Sequence, residues 1–283
     1  GVPIIYRLDG LSWLHKKKRV GLRAWLLGEL RNVLMNVIRS YLATAVVYQS
    51  DFVKAWWEQC GWSSAAKSYV VYNGVDLEVF SRKVSEGGKA EISIVCVEGT
   101  LDYSPFAVEL LNILQEKLIG HYPFKSIILY GMFGDRRNQE KLSPSIDYRG
   151  FVAREELPTV YRDCVYLSLD VNPACPNTVV EALACGVPVI GFETGALREL
   201  VTEEAGRIVP YGGNGPWELG FPDVGQLVLA AGQVLSDWDK FALGARQVAE
   251  DRFDVRDMVS SYLSVISSVE KAAKSEQQEN GAR

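Results

Sequence analysis

The chain has 283 residues, 48% of them hydrophobic and 23% charged, which suits one large or two modest domains with a real core and excludes wholesale disorder. A net charge of −5 argues against a dedicated nucleic-acid binder, and no apolar run reaches the ~18 to 20 residues that a membrane-spanning helix needs. The charge is uneven, because residues 1–45 carry a net +6 and the remainder −11. Five cysteines, none spaced CxxC, give neither a zinc site nor a disulfide framework. With no secretory leader pattern at the start, the expectation is a reduced, cytoplasmic protein.

In chain order, β-branched apolar runs fall at 2–6, 44–49, 68–72, 91–97, 126–131, 165–169 and 187–192. Such continuous runs predict strands buried on both faces. Helical spacing appears between and after them, over 105–118, 156–164, 178–185 and 224–238, and again from Asp254 onward. Strand–helix alternation predicts an α/β protein with parallel sheets. The polar stretch SRKVSEGGKAE (81–91) lacks periodicity and reads as a linker. The expected domains are therefore 1–82, a linker at 83–90, 91–250, and a C-terminal helix with a frayed tail over 251–283. About three strands are expected in the first part and about six in the second. Three strands make a poor independent sheet. Together with a first residue Gly1 in place of Met, this predicts a chain lacking earlier strands.

Familiar signatures are missing: there is no GxGxxG after a strand, no GxxxxGK[ST] and no HExxH. The two histidines, His15 and His121, have no nucleophile partner by motif, so a Ser-His-Asp hydrolase is not expected. The richest stretch is VYLSLDVNPACPNTVVEALACGVPVIGFETGALREL (165–200), which reads as strand, loop, short helix, strand, loop, helix. A loop entering a helix N-terminus offers backbone N–H groups and positive dipole potential to a phosphate. Thr178 and Glu181 have capping-box spacing, so Glu181 is either a capping partner or a ligand-binding carboxylate.

This stretch resembles the donor-binding signature of retaining GT-B glycosyltransferases of the large glycosyl transferases group 1 (family 4) type. IILYGMFGDRRN (127–138), IDYRGFVAREELPTVYRDC (146–164), CPNTVVEALACGVPVIG (175–191) and GALREL (195–200) are similar to that family's segments, in family order. So are TAVVYQSDFVKAWW (44–57) and VVYNGVDLEVF (70–80). The resemblance implies two Rossmann-like parallel-sheet domains with an interdomain cleft, the first incomplete and acceptor-binding, the second nucleotide-sugar-binding. It implies a metal-independent, retaining hexosyltransferase of glycan biosynthesis with a nucleotide-diphosphate sugar as donor substrate and no cofactor. The acceptor would be a glycan, a lipid-linked molecule or a small molecule. By the same resemblance, Glu181 grips the ribose; Asn177, Thr178 and Val179 hold the diphosphate; Phe151 and Val152 read the base; and Gly99, Thr100 and Leu101 form the glycine turn beside the donor.

Two departures stand out. Pro173 occupies the position eight before Glu181, where the family carries a sugar-binding glutamate; Asp170 and Asn172 are nearby substitutes. VEGTLDYSP (97–105) lacks the family's basic pair, leaving Arg136, Arg137 or Arg154 to supply diphosphate charge. On the N-terminal side, RLDG (7–10) follows a strand, and Asp9 or Arg7 is the acceptor-facing candidate, Asp9 as the catalytic group, the alternative being a turn formed by Asp9 and Gly10. Trp56 and Trp57 read as packing residues rather than a sugar platform. Residues 13–40 mix basic and apolar side chains; they are read first as a solvated basic helix with an apolar core face and second as a peripheral membrane contact. Two functional readings follow: a glycosyltransferase, or a catalytically impaired nucleotide-sugar-binding or scaffold module that needs missing N-terminal strands or a partner. An epimerase on the same fold fits the motif order less well.

Overall fold

The computed structural model describes residues 2–82, 92–101 and 104–281, with side chains described through 275. It divides into two compact units, Gly1–Asn73 with Val255–Arg283, and Gly74–Asp254. The boundary thus falls earlier than the expected 82, and the last helix joins the first unit rather than forming a separate tail. The linker expected at 83–90 lies outside the described residues.

The first unit holds a three-stranded parallel sheet of order β1(Ile5–Leu8), β2(Ala45–Tyr48), β3(Lys67–Val70). Its helices are α1(Leu14–Lys17), α2(Leu22–Val37), continued by a π-helical turn at Ile38–Leu42, and α3(Asp51–Cys60). Ser50 caps α3 by accepting from the Val53 amide at 3.2 Å. The long C-terminal helix, α11, runs Val255–Gly281, so Ser275–Gly281, expected to fray, continue it. Its Val265 and Val269 pack with Ala45, Val47 and Val71. Period-two alternation sends Leu8, Val46 and Tyr48 to the other sheet face, where they are buried too. Trp57 is fully buried and Trp56 nearly so, as packing residues should be.

The second unit holds six parallel strands: β4(Ile92–Thr100), β5(Phe124–Met132), β6(Asp147–Gly150), β7(Cys164–Leu167), β8(Val189–Phe192) and β9(Gly206–Val209), in spatial order 6-5-4-7-8-9. The helices are α4(Ala107–Leu118), α5(Arg136–Gln139), α6(Leu157–Val160), α7(Asn177–Ala184), α8(Leu197–Leu200), α9(Val224–Ser236) and α10(Trp238–Arg252). The apolar runs predicted in this part became β4, β5, β7 and β8. Strands β6 and β9 were not among them, since DYRG and GRIV carry an arginine each and no long apolar run. One core cluster joins Leu110, Leu114 and Leu118 of α4 to Ile94, Ile127, Val165 and Leu167 of the strands and Leu227 and Val234 of α9. All five cysteines are free, four of them buried.

Candidate functional site

The chain order reverses between β4 and β7, which are hydrogen-bonded neighbours. In open parallel sheets such a switch point leaves a crevice beyond the strands' carboxyl ends, where ligands bind. Most of the candidate residues of this unit lie at that end of the sheet: Gly99–Leu101 at the end of β4, Phe151–Arg154 after β6 and Asp170–Thr178 after β7.

Helix α7 starts at Asn177 after Pro176, with no side-chain cap. The capping box expected for Thr178 and Glu181 is not formed, because Thr178 lies inside the helix rather than at its cap. Its hydroxyl sits 2.8 Å from that of Tyr166 on β7. Glu181, 3% exposed, instead receives Arg154: Nε donates to Oε1 at 2.9 Å and Nη2 lies 2.8 Å from the same oxygen. Burial pushes the Glu181 carboxyl above its ordinary value, and Arg154 opposes that shift. Both described Arg154 contacts fall on Oε1. The guanidinium also lies over the Phe80 ring, 5.8 Å from its centroid. The pair brings the loop after β6 beside α7; in that loop Phe151 is exposed and Val152 partly buried.

Other candidates fare differently. The Val179 amide already donates to the Pro176 carbonyl at 3.2 Å and its side chain is buried, which weighs against a ligand role for that residue. Gly99 and Thr100 are exposed; a Cβ on Gly99 would meet nothing within 4 Å, so packing alone does not demand glycine there. Leu101 is buried in the core cluster. Arg137 is bound to Asp135 at 2.6 Å and Arg136 is exposed; no contact described for either reaches α7. Pro173 is buried, and its carbonyl accepts from the Ala196 amide at 2.9 Å. A Cβ on Gly195, which has φ +55°, would come within 2.4 Å of Pro173, so this loop pair is closed around glycine. Asn172 is buried at φ +56°, with its amide and side-chain oxygen both on Thr194 Oγ1 at 2.8 Å and its Nδ2 without a partner.

Asp170, one of the substitutes named for the missing glutamate, has a carboxylate partner at the switch point that the sequence did not reveal. Glu98 at the end of β4 accepts from the Leu169 amide at 3.3 Å, and Asp170 follows directly. Burial first, then the Asp170 charge, raises the Glu98 carboxyl far above its usual range; burial raises Asp170 too. Both carboxylates line a small cavity with Thr100, Leu101, Ser104, Ala107 and Leu169. The signal was Glu98 as the lone charge in an otherwise apolar strand.

In the first unit, Asp9 is exposed and its carbonyl accepts from the Trp57 indole at 2.7 Å. Of the two acceptor-side candidates, it is Arg7 that is drawn into a network at the strand ends. Arg7 donates to Asn73 Oδ1 at 2.6 Å and to the Tyr262 hydroxyl at 2.9 Å, and Asn73 Nδ2 donates to Gln49 at 3.3 Å. His15 is tied to Glu29 at 2.6 Å.

With this geometry in place, the class of fold is GT-B. The structure matches sucrose-phosphate synthase of Thermosynechococcus elongatus with a TM-score of 0.72 at 19% identity, covering 95% of this chain and 68% of that one. It matches Anabaena HepE in complex with UDP-glucose at a TM-score of 0.71 and 18% identity, covering 94% and 72%. The pneumococcal O-GlcNAc transferase GtfA, in complex with UDP and GlcNAc, matches at 0.64 and 13% identity, covering 94% and 52%. In sequence, the family described as Glycosyl transferases group 1 matches residues 110–236. A curated relative, an uncharacterized 41.2 kDa protein in the cps region of Klebsiella pneumoniae, is 27% identical over 218 residues. That match covers 72% of this chain and 56% of the relative, so the chain spans little more than half its length.

Proposed function

We infer that the protein is a glycosyltransferase that takes its sugar from a nucleotide-diphosphate donor held by the second unit. The observation that carries this is the buried Glu181 on the first turns of α7, beside an N-terminus at the carboxyl end of a switch-point crevice. A carboxylate oxygen accepts hydrogen bonds from ribose hydroxyls, and the helix N-terminus attracts the diphosphate. Oε2 of Glu181 takes the ribose; the Asn177 and Thr178 amides face the diphosphate; the Phe151–Val152 backbone meets the base. Arg154, fixed on Glu181, orients the carboxylate rather than neutralising phosphate. Retention of configuration and independence from a metal ion follow from the family resemblance. Catalysis then works by positioning and by dipole stabilisation of the leaving diphosphate. Asp9 is retained as the acceptor-side candidate, and the acceptor is a glycan, lipid-linked or small molecule.

A second reading is favoured by how the candidate arginines and Pro173 are placed. Arg137 and Arg154 are engaged by carboxylates, and Pro173 is buried where a sugar-binding carboxylate would stand. A module that binds nucleotide sugar without transferring it would look like this. Thermal-shift titration with UDP, GDP, ADP and their sugar conjugates tests the first reading. A ligand at ~100 times its Kd adds about 2.7 kcal/mol of apparent stability. A shift with one base, lost in Glu181→Gln, supports the donor site; no shift from a cooperatively folded sample overturns it. Donor binding with no nucleotide release in any acceptor extract selects the second reading.

A further inference from the structure

Strand β7 reads CVYL and is buried along its whole length, Tyr166 with no exposed surface. A phenol hydroxyl in such a place costs stability unless it is hydrogen-bonded, and phenylalanine would fill the same space without that cost. The Tyr166 hydroxyl is bonded twice: it shares its proton between Thr178 Oγ1 at 2.8 Å and the Val97 carbonyl at 3.2 Å. Tyr161 supplies the contrast. It is almost as deeply buried and meets the Tyr166 ring edge-on, 5.9 Å between centroids, yet its hydroxyl has no partner among the described residues. Burial, reinforced by the Glu98 charge, raises the Tyr166 phenol well above its ordinary range, so it remains a donor.

The two acceptors belong to the two backbone segments already assigned to the donor. Thr178 stands on the first turn of α7, and Val97 lies directly before Glu98 and the glycine turn at 99–101. The Val179 and Val180 amides both return to the Pro176 carbonyl, at 3.2 and 3.3 Å, so the amides ahead of them form the open end of the helix. The register between β4 and β7 ends at the Val95–Tyr166 pair, and the Tyr166 hydroxyl carries the connection on to Val97. We propose, resting on the reading of α7 as the diphosphate site, that Tyr166 is a positioning residue for that diphosphate: its hydroxyl sets the spacing between the glycine turn after β4 and the N-terminus of α7. Backbone donors stabilise an anion best when their separation is fixed before it arrives. Glu181 lies farther along α7 and is held by Arg154, outside this brace. Loss of the hydroxyl therefore acts on the phosphates and spares ribose and base.

Calorimetric titration of the full chain with UDP, GDP and ADP, each beside UMP, GMP and AMP, provides the test. The parent should prefer one diphosphate over its monophosphate. Tyr166→Phe should cut that preference about fivefold, the worth of one hydrogen bond, while monophosphate affinity changes less than about twofold. Tyr161→Phe, in the neighbouring ring, should leave the preference intact. Thr178→Val breaks the same bond from the helix side and should lose no more when combined with Tyr166→Phe than alone. It also decides the matter if Tyr166→Phe does not fold. A preference that Tyr166→Phe retains, in a chain that melts cooperatively, overturns the proposal. So do equal losses for monophosphate and diphosphate, an equal loss in Tyr161→Phe, or additive losses in the double variant. If the parent binds none of these nucleotides, the donor reading falls first and this role falls with it.

Discussion

The two units are built from the same strand–helix alternation but dispose of their apolar helix faces in opposite ways. In the six-stranded unit, α4 and α9 close over the sheet: Leu110, Leu111, Leu114 and Leu118 of α4 are fully buried. In the three-stranded unit, the connection between β1 and β2 is a helix anchored by Asn32, Asn36 and Arg39, with its leucines outside. In that unit the side chains buried against the sheet come from α3 and α11, and the α2 leucines are not among them, which corrects the apolar core face expected for residues 13–40. Apolar residues at helical spacing therefore mean core in one unit and surface in the other.

Substitutions sharpen or break this contrast. Leu114→Ala should cost about 2 to 5 kcal/mol in urea unfolding, the usual cost of a large-to-small change in a packed core. Leu30→Ala should stay within about 0.5 kcal/mol. Comparable losses at both positions would mean that the α2 face is covered by protein.

Next in size is the pair on α7. Arg154→Ala leaves a buried carboxylate without its cation, so the Glu181 carboxyl should titrate still higher, and nucleotide affinity should fall by about tenfold or more. Calorimetric titration across pH reads both effects. An unchanged affinity would mean that Arg154 does not orient Glu181 for a ligand.

The carboxylate pair at the switch point predicts a pH effect confined to the second unit. The Glu98 carboxyl is raised to about 8 in the folded chain, so the folded state holds that proton more tightly than the unfolded state. Stability from this group is complete below the ordinary carboxylate range and is lost as pH rises through about 8. Thermal melts of Glu98→Gln should therefore decline less than the parent's between neutral pH and pH 9; parallel declines would remove the coupling. The smallest effect should come from Arg137→Ala, whose exposed pair with Asp135 is expected to leave the melting temperature unchanged.

Several features were legible in advance because they depend on short-range chemistry. Continuous β-branched runs gave β2, β4, β5, β7 and β8, and the 3.6-residue period gave α4, α7, α9 and the long helix from Val255. Glu181 was placed on α7, but its partner was not. Thr178 and Glu181 have a capping spacing, yet the cap position is Pro176, two residues too early for Thr178 to fill it. Arg154 was named for a different task, since nothing local reveals that the loop after β6 reaches α7. The Arg7–Asn73–Gln49 network joins three segments far apart in sequence and has no local signature at all.

By itself the sequence determined the α/β class, the parallel sheets and the helix that carries the candidate donor carboxylate. Backbone propensity and side-chain period act within a few residues, and these features need nothing more. Tertiary structure alone decided that β4 and β7 are neighbours, which sets Glu98 beside Asp170. It also decided that Arg154 pairs with Glu181, that the last helix returns to the first sheet, and that α2 turns its leucines outward. Each of these depends on which surfaces the folded chain has available to bury, a quantity fixed only when distant segments meet.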